Sequence, residues 1–399
     1  MHTPRTPRSR VGRLAAAVTG AALFTALAAC APPPATDTES SATPLAQKST
    51  QPDETAEGFD LDALIAAAKT EPGITVYDQT GKVVDTAKAF SKKYGLKATG
   101  VKVELGAIDK VLRENQSGNV IGDVVINEDL PTYAVELLQR GVLVNWVPGD
   151  LKNSIKPEDR YPLTVHYGPM GWVYNNKTYS HCPVSNIWQL TDPDFAGRVA
   201  IADPLSNPKY PYWFNSLARN DDDALRAAYK QQYGTDLSTD QPDAAHEWLK
   251  RFAANQPKIT QTDEEVSEAV GAPGQKTPSF GPISMAKFRN VAQKGYHLAI
   301  CDGMKPNALQ AFPSAIAYAA KTKSPNTAKL YIHYMLTQEG FALQLADGKP
   351  STNAKVPPPN DPSDIKNYLK QMAPLRATDL LSDYRTKSDW EDFWRTSHH

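Results

Sequence analysis

Short buried-strand runs alternate with amphipathic stretches between Gly73 and Arg140, and this alternation constrains the chain more than any other feature. Ile74-Thr75-Val76-Tyr77 is apolar and rich in β-branched residues, bounded by Pro72 and Asp78, and reads as a buried strand. Thr80-Gly81-Lys82 turns the chain, after which Val83, Val84, Ala87, Phe90 and Tyr94 recur at helical spacing. Residues 101–105 alternate as a second strand and 108–115 read as a helix. Asp123-Val124-Val125-Ile126 is a third buried strand, ending at Asn127-Glu128-Asp129. Pro131 suits the first turn of a helix over 131–140. Strand, helix, strand, helix, strand dictates an α/β fold with a mainly parallel sheet. Ligands in such sheets gather beyond the C-terminal strand ends, which here carry residues 78–82 and 127–129.

The pattern changes after Trp146. A Pro- and Tyr-rich stretch leads to a strand over 170–175 that crosses to a second lobe. Residues 198–202 form a strand ending at Asp203-Pro204, and helices are expected over 211–219, 222–233, 243–254 and 264–270. A strand over 296–300 precedes a segment, 311–320, that returns to the first lobe, and 326–346 reads as one long helix. About 340 residues follow the leader and tether described next, more than one hydrophobic core usually holds, so two lobes are expected.

Four arginines (Arg5, Arg8, Arg10, Arg13) precede an uncharged stretch, 14–29, that ends in small residues before Cys30. This is the layout of an export signal, and the apolar part falls short of the roughly 20 residues a spanning helix needs. Leu27-Ala28-Ala29-Cys30 resembles a bacterial lipobox, which makes Cys30 the lipidated first residue of the mature protein, anchored at the extracytoplasmic face of the cell membrane. The Pro/Thr/Ser-rich segment after it has the composition of a tether. The expected organisation is 1–29 leader, 30–57 tether, 58–172 first lobe, 173–305 second lobe, and 306–399 a return to the first lobe with C-terminal helices. Cys182 and Cys301 are the other cysteines; an even pair in an exported chain suggests a disulfide, with two separate buried thiols as the alternative. Without the leader arginines, acidic residues outnumber basic ones by five, which speaks against a nucleic-acid partner.

The order of pieces resembles bacterial extracellular solute-binding proteins of the ferric-iron/polyamine/thiamine type. The resemblance rests on residues 74–77, 122–128, 137–143, 171–175, 187–193, 195–200 and 328–345, behind the lipobox. It implies an α/β, two-lobed type II periplasmic-binding-protein fold with crossing hinge strands. It also implies the substrate-binding component of an ABC importer, a monomer that closes on a small-molecule solute and delivers it to a membrane permease. Ferric-binding relatives hold iron with two adjacent tyrosines, a histidine and a glutamate, hard donors that suit the ion. Here the corresponding loop, 280–288, has no tyrosine, Gly81 stands at the histidine position, and Glu128 alone remains. The expected solute is therefore organic or oxyanionic, with no cofactor and no metal. The alternatives are a ferric site with atypical ligands and a thiaminase-like enzyme on the same fold.

Candidate contacts follow from strand ends and from the resemblance. Thr80, Gly81 and Lys82 put a hydroxyl, backbone N–H groups and an ammonium at a helix start, favourable for an anion. Asn127 and Glu128 line the next strand end, where Asp129 can instead cap the following helix. Asp203, Ser206 and Asn207 correspond to a ligand loop in the second lobe, and Trp213, with Tyr210 and Tyr212, could stack on a planar or cationic group or belong to the core. Ser284 and Lys287 enter by the resemblance. A carboxylate and lysines together leave the solute's charge open, and a zwitterion satisfies both. The chain has no G-x-S-x-G, H-E-x-x-H or C-x-x-C, so catalysis would need a reactive Cys182 or Cys301 beside a base.

Overall fold

The computed structural model describes residues 58–104 and 107–398. The expected leader, Cys30 and the expected tether lie outside the described residues. Ile74–Asp78 sits between Ala98–Lys102 and Val124–Asn127, parallel to both, with Val76 opposite Val124. All four residues of Val124–Asn127 are buried, because apolar clusters cover both sheet faces, one around Phe90, Tyr331 and Tyr334 and one around Tyr133 and Leu137. A strand covered on both faces reads as continuous apolar sequence, as it does here.

Two eleven-residue strands continue the sheet, Thr164–Tyr174 and Leu309–Ala319. They run antiparallel, in register from Leu309 opposite Gly171 to Ala315 opposite Thr164, with an irregularity at Ser314/Ala315. Their ends belong to different cores. Val165, Ile316 and Tyr318 pack in the first lobe, whereas Met170, Trp172, Val173, Leu309 and Phe312 pack in the second. A pair of strands shared in this way is the hinge between lobes. Beyond it, Thr164–Tyr174 pairs with Gly281–Ser284 and Ala299–Ile300, while Ala200–Ala202 pairs in parallel with Lys258–Thr260.

The final helix, Leu380–Ser397, is a further link between the lobes. Trp390 and Trp394 enter the second lobe's core, Leu380 enters an apolar cluster of the first, and the Tyr384 hydroxyl donates to Glu136 at 2.5 Å. Cys182 and Cys301 form a disulfide with Cα atoms 5.2 Å apart across 119 residues. A chain-entropy treatment of so long a loop gives about 4–5 kcal/mol.

Local departures from the sequence pattern have physical causes. The edge strand is Ala98–Lys102 rather than 101–105, because Gly100 belongs in it; a Cβ there would lie 2.2 Å from the Val83 carbonyl oxygen. The helix expected over 326–346 is two, Pro325–Met335 and Gln338–Leu345. Thr337 breaks it by accepting the Gly340 N–H at 3.1 Å, and Gly340 approaches the Tyr334 carbonyl too closely for any side chain. The segment 131–140 begins with a short turn capped by Asp129 and continues as a π-helix over Tyr133–Leu138. Of the strand expected over 296–300, only Ala299–Ile300 pairs. Among the described residues no helix is long and apolar enough to cross a membrane.

Candidate functional site

The strand ends of the first lobe face the second lobe across a cleft, and Glu128 stands on its floor. Its strand ends at Asn127, and its N–H donates to Gln79 Oε1 at 3.1 Å, joining two adjacent strand ends. Space for the carboxylate comes from Gly168 in the hinge, where a Cβ would sit 3.4 Å from Glu128 Oε1. Two ammonium groups converge on this one carboxylate. Lys209, the first residue of helix Lys209–Asn220 in the second lobe, reaches Oε2 at 2.6 Å, and Lys349, from the loop after Gln338–Leu345, lies 3.4 Å from Oε1. Burial alone would raise the Glu128 pKa, but Lys209 and Lys349 outweigh it and hold the carboxyl far below the usual range. Lys209 also lies above the Phe312 ring, 5.6 Å from its centroid.

The surroundings of Glu128 are polar and enclosed. Burial, reinforced by Lys349, pushes the His166 ring well below its ordinary pKa, so it is neutral, and its Nδ1 has no hydrogen-bond partner. Asp78, behind Thr80, is pushed up to about 6 by burial, opposed by Lys349 and by the Thr80 N–H and hydroxyl that both donate to it. A second shared carboxylate lies behind the lining residues Lys287 and Arg289, outside both cavities of the cleft. Glu264 takes Lys287 at 3.0 Å, Arg289 at 3.5 Å and Lys294 at 2.6 Å. Its partial burial would raise the pKa, yet hydrogen bonds from Lys294 and Lys287 bring it down to about 2.

Two cavities of about 460 and 410 Å³ occupy the cleft and share Gln79, Glu128, Lys209 and Asp263. Thr80, Gly81, Lys82, Ser284 and Lys287 line the larger one, and Ser206 and Asn207 line the smaller, so these expected residues come together with Glu128. Three others do not. Asn127 is fully buried behind Glu128, its Oδ1 accepting the Asp129 N–H at 2.7 Å. Asp203 lies outside both cavity linings and closes its own loop by accepting the Leu205 N–H. Trp213 is a core residue, packed edge-on against Trp172 and Trp248, because its helix turns that face inward.

Several lining residues were not singled out in the sequence: Lys209, Asp263, Arg289 and Lys349, and also Gln79, although it lies within the strand end 78–82. Lys209 adjoins the recognised loop at Ser206-Asn207, so extending that loop by two positions would have found it. Lys349 carried no local signal. It is placed by the turn at Gly348, whose φ of 75° favours glycine, and by Gln344, whose amide donates to Thr80 at 3.2 Å. The lobes meet directly as well, since the Tyr212 hydroxyl donates to Asp129 at 2.6 Å. Lobes joined through Lys209–Glu128 and Tyr212–Asp129 are in a closed arrangement.

A cleft on a strand-end edge, between lobes joined by a two-strand hinge, is the geometry of a solute clamp. Solved structures share the fold. HitA from Pseudomonas aeruginosa, described as iron-bound, is 17% identical with a TM-score of 0.59, covering 82% of this chain and 99% of its own. AfuA from Actinobacillus pleuropneumoniae, with fructose-6-phosphate, is 17% identical with a TM-score of 0.59, covering 81% and 98%. AgtB from Agrobacterium tumefaciens, with agropinic acid, is 17% identical with a TM-score of 0.57, covering 81% and 98%. No curated protein matches the sequence. The family model for bacterial extracellular solute-binding proteins matches residues 74–348, most of the chain, and the chain belongs to that family.

Proposed function

We propose that this protein is the solute-binding component of an ABC importer and that its solute is a small organic anion held between the lobes. The observation that carries the charge assignment is the sharing of carboxylates. Glu128 is the common partner of Lys209 and Lys349, and Glu264 of Lys287, Arg289 and Lys294. Counted over the lining of the larger cavity, Lys82, Lys102, Lys209, Lys287, Arg289 and Lys349 outnumber Glu128, Asp263 and Asp347, and a ligand with negative charge offsets the excess. A cationic or ferric solute would meet two ammonium groups already at Glu128, so the carboxylate is not available as a hard metal ligand. Among the described residues no group of three or more His, Cys, Asp or Glu is arranged to hold a metal ion.

The mechanism is capture by closure. Residues 58–172 and 306–399 supply Thr80, Gly81, Lys82, Glu128 and Lys349, and residues 173–305 supply Ser206, Asn207, Lys209, Ser284 and Lys287. A solute that contacts both sets stabilises the closed arrangement, which docks on the permease. On this reading the chain works as a monomer without catalysis, and lipid on Cys30 with the 30–57 tether keeps it at the extracytoplasmic face. One acyl chain anchors only marginally, so more than one is expected on the mature N-terminus. Calorimetric titration with matched organic anions, amines and neutral solutes tests the assignment. Binding confined to anions, weakening as salt is raised, supports it; binding of amines alone overturns it.

A further inference from the structure

We infer that the anion this cleft takes is hydroxylated, an acidic or phosphorylated polyol, with its charged head in the larger cavity and its hydroxyl-bearing body reaching the smaller one. The inference rests on the anion reading above and adds a class of ligand to it. The two cavities differ in chemistry. Around the larger, six lysines and arginines outnumber Glu128, Asp263 and Asp347, whereas the smaller is acidic, with Glu104, Glu128, Asp129 and Asp263 against Lys209 alone, together with Ser206, Asn207, Gln261 and Thr262. Negative charge is favoured in the larger and disfavoured in the smaller, where carboxylates accept hydrogen bonds, so a ligand that spans both is anionic at one end and carries uncharged donors at the other.

The junction fixes which polar group lies there. Gln79 comes from the first lobe and Asp263 from the second, and both border both cavities. Gln79 Nε2 and Asp263 Oδ1 are buried atoms with no hydrogen-bond partner in the protein. The orientation of the Gln79 amide is set by its own bonding. Its Oε1 accepts the Glu128 N–H at 3.1 Å, which leaves the Nε2 end as the unpaired donor. One lobe therefore offers an unpaired donor and the other an unpaired acceptor at the same junction. A buried polar group without a partner is costly, so a ligand that pairs both gains from each. A carboxylate or phosphate oxygen would pair with Gln79 but be repelled by Asp263, and an ammonium would donate to Asp263 but has no lone pair to accept from Gln79. A hydroxyl accepts from the first and donates to the second. Its presence also rewards closure, because only the closed lobes bring donor and acceptor to one place.

The test is a calorimetric titration of the full mature chain with methyl phosphate, glucose 6-phosphate, gluconate and glucose. Glucose 6-phosphate or gluconate is expected to bind at least about 10-fold more tightly than methyl phosphate, since a buried hydrogen-bonding site discriminates strongly against a ligand lacking the group. Gln79→Met is expected to collapse that ratio towards one. The wild-type ratio stands without the variant should Gln79→Met fold poorly. Equal affinity for methyl phosphate and the hydroxylated anions overturns this inference and leaves the anion reading intact. Failure of all three anions to bind overturns both. Binding of glucose as tight as glucose 6-phosphate also overturns it, since the charged head would then contribute nothing.

Discussion

The two faces of the hinge are built from alternate residues of the same two strands, yet they make opposite surfaces. On the cleft side Gly168 and Phe312 lie beneath Glu128 and Lys209, in a site lined by ionic groups. On the back, Tyr167, Ala311 and Pro313 face a cavity of about 640 Å³ completed by Leu130, Met372 and Leu375. The back cavity is the larger. It nevertheless lacks convergent, shared charges: Asp159 there is already paired, accepting from the Tyr167 hydroxyl at 2.6 Å. Polar groups aimed at one point, rather than volume, distinguish a solute site from packing space along a hinge.

The largest expected effect breaks the charge balance on the cleft side. Glu128→Gln leaves Lys209 and Lys349 facing one another in a buried site, and stability without ligand should fall by about 3 kcal/mol in urea denaturation. A saturating organic anion should restore most of it, whereas an unchanged midpoint would show that the carboxylate is not the balancing charge. Next in size, Lys209→Met removes a cation shared by both cavities, and calorimetry should register about a 100-fold loss of anion affinity.

A smaller effect is expected from pH. Asp78, raised to about 6, binds more protons folded than unfolded between its ordinary range and that value. Its contribution to stability is therefore present below the ordinary carboxylate range and lost as pH rises through about 6. Protonating it also makes the cleft more positive, so affinity for a sulfate ester, whose charge is constant here, should rise about 2- to 3-fold from pH 7.5 to 5. Asp78→Asn should flatten that dependence; an unaltered pH profile in the variant would assign it to another group. The smallest effect belongs to the back of the hinge. Met372→Ala should cost about 1 kcal/mol of stability in denaturant, because Met372 is only partly buried, and change anion affinity by less than about 3-fold. A larger affinity loss would mean that the two faces are not separate.

The parallel core and the strand-end site were legible because buried strands read as apolar runs and their ends fall at turn residues. Thr80, Lys82, Glu128, Ser206, Asn207, Ser284 and Lys287, which line the two cavities, were singled out in this way or by resemblance. Lys349 was not, since it reaches Glu128 from 221 positions away through a turn whose destination only the folded chain reveals. Trp213 was misplaced for the reverse reason. An aromatic beside a ligand loop looks the same in sequence whether its helix face turns to the cleft or to the core. The break at Thr337 and the strand position of Gly100 both depended on close backbone approaches, which side-chain periodicity does not report.

Charge in the cleft is the claim on which the functional reading stands, and mass spectrometry of the small molecule released from protein purified without refolding tests it most directly. The account predicts an anion, carboxylated or phosphorylated, released in about one copy per chain. Recovery of a polyamine, another organic cation or ferric iron would contradict it.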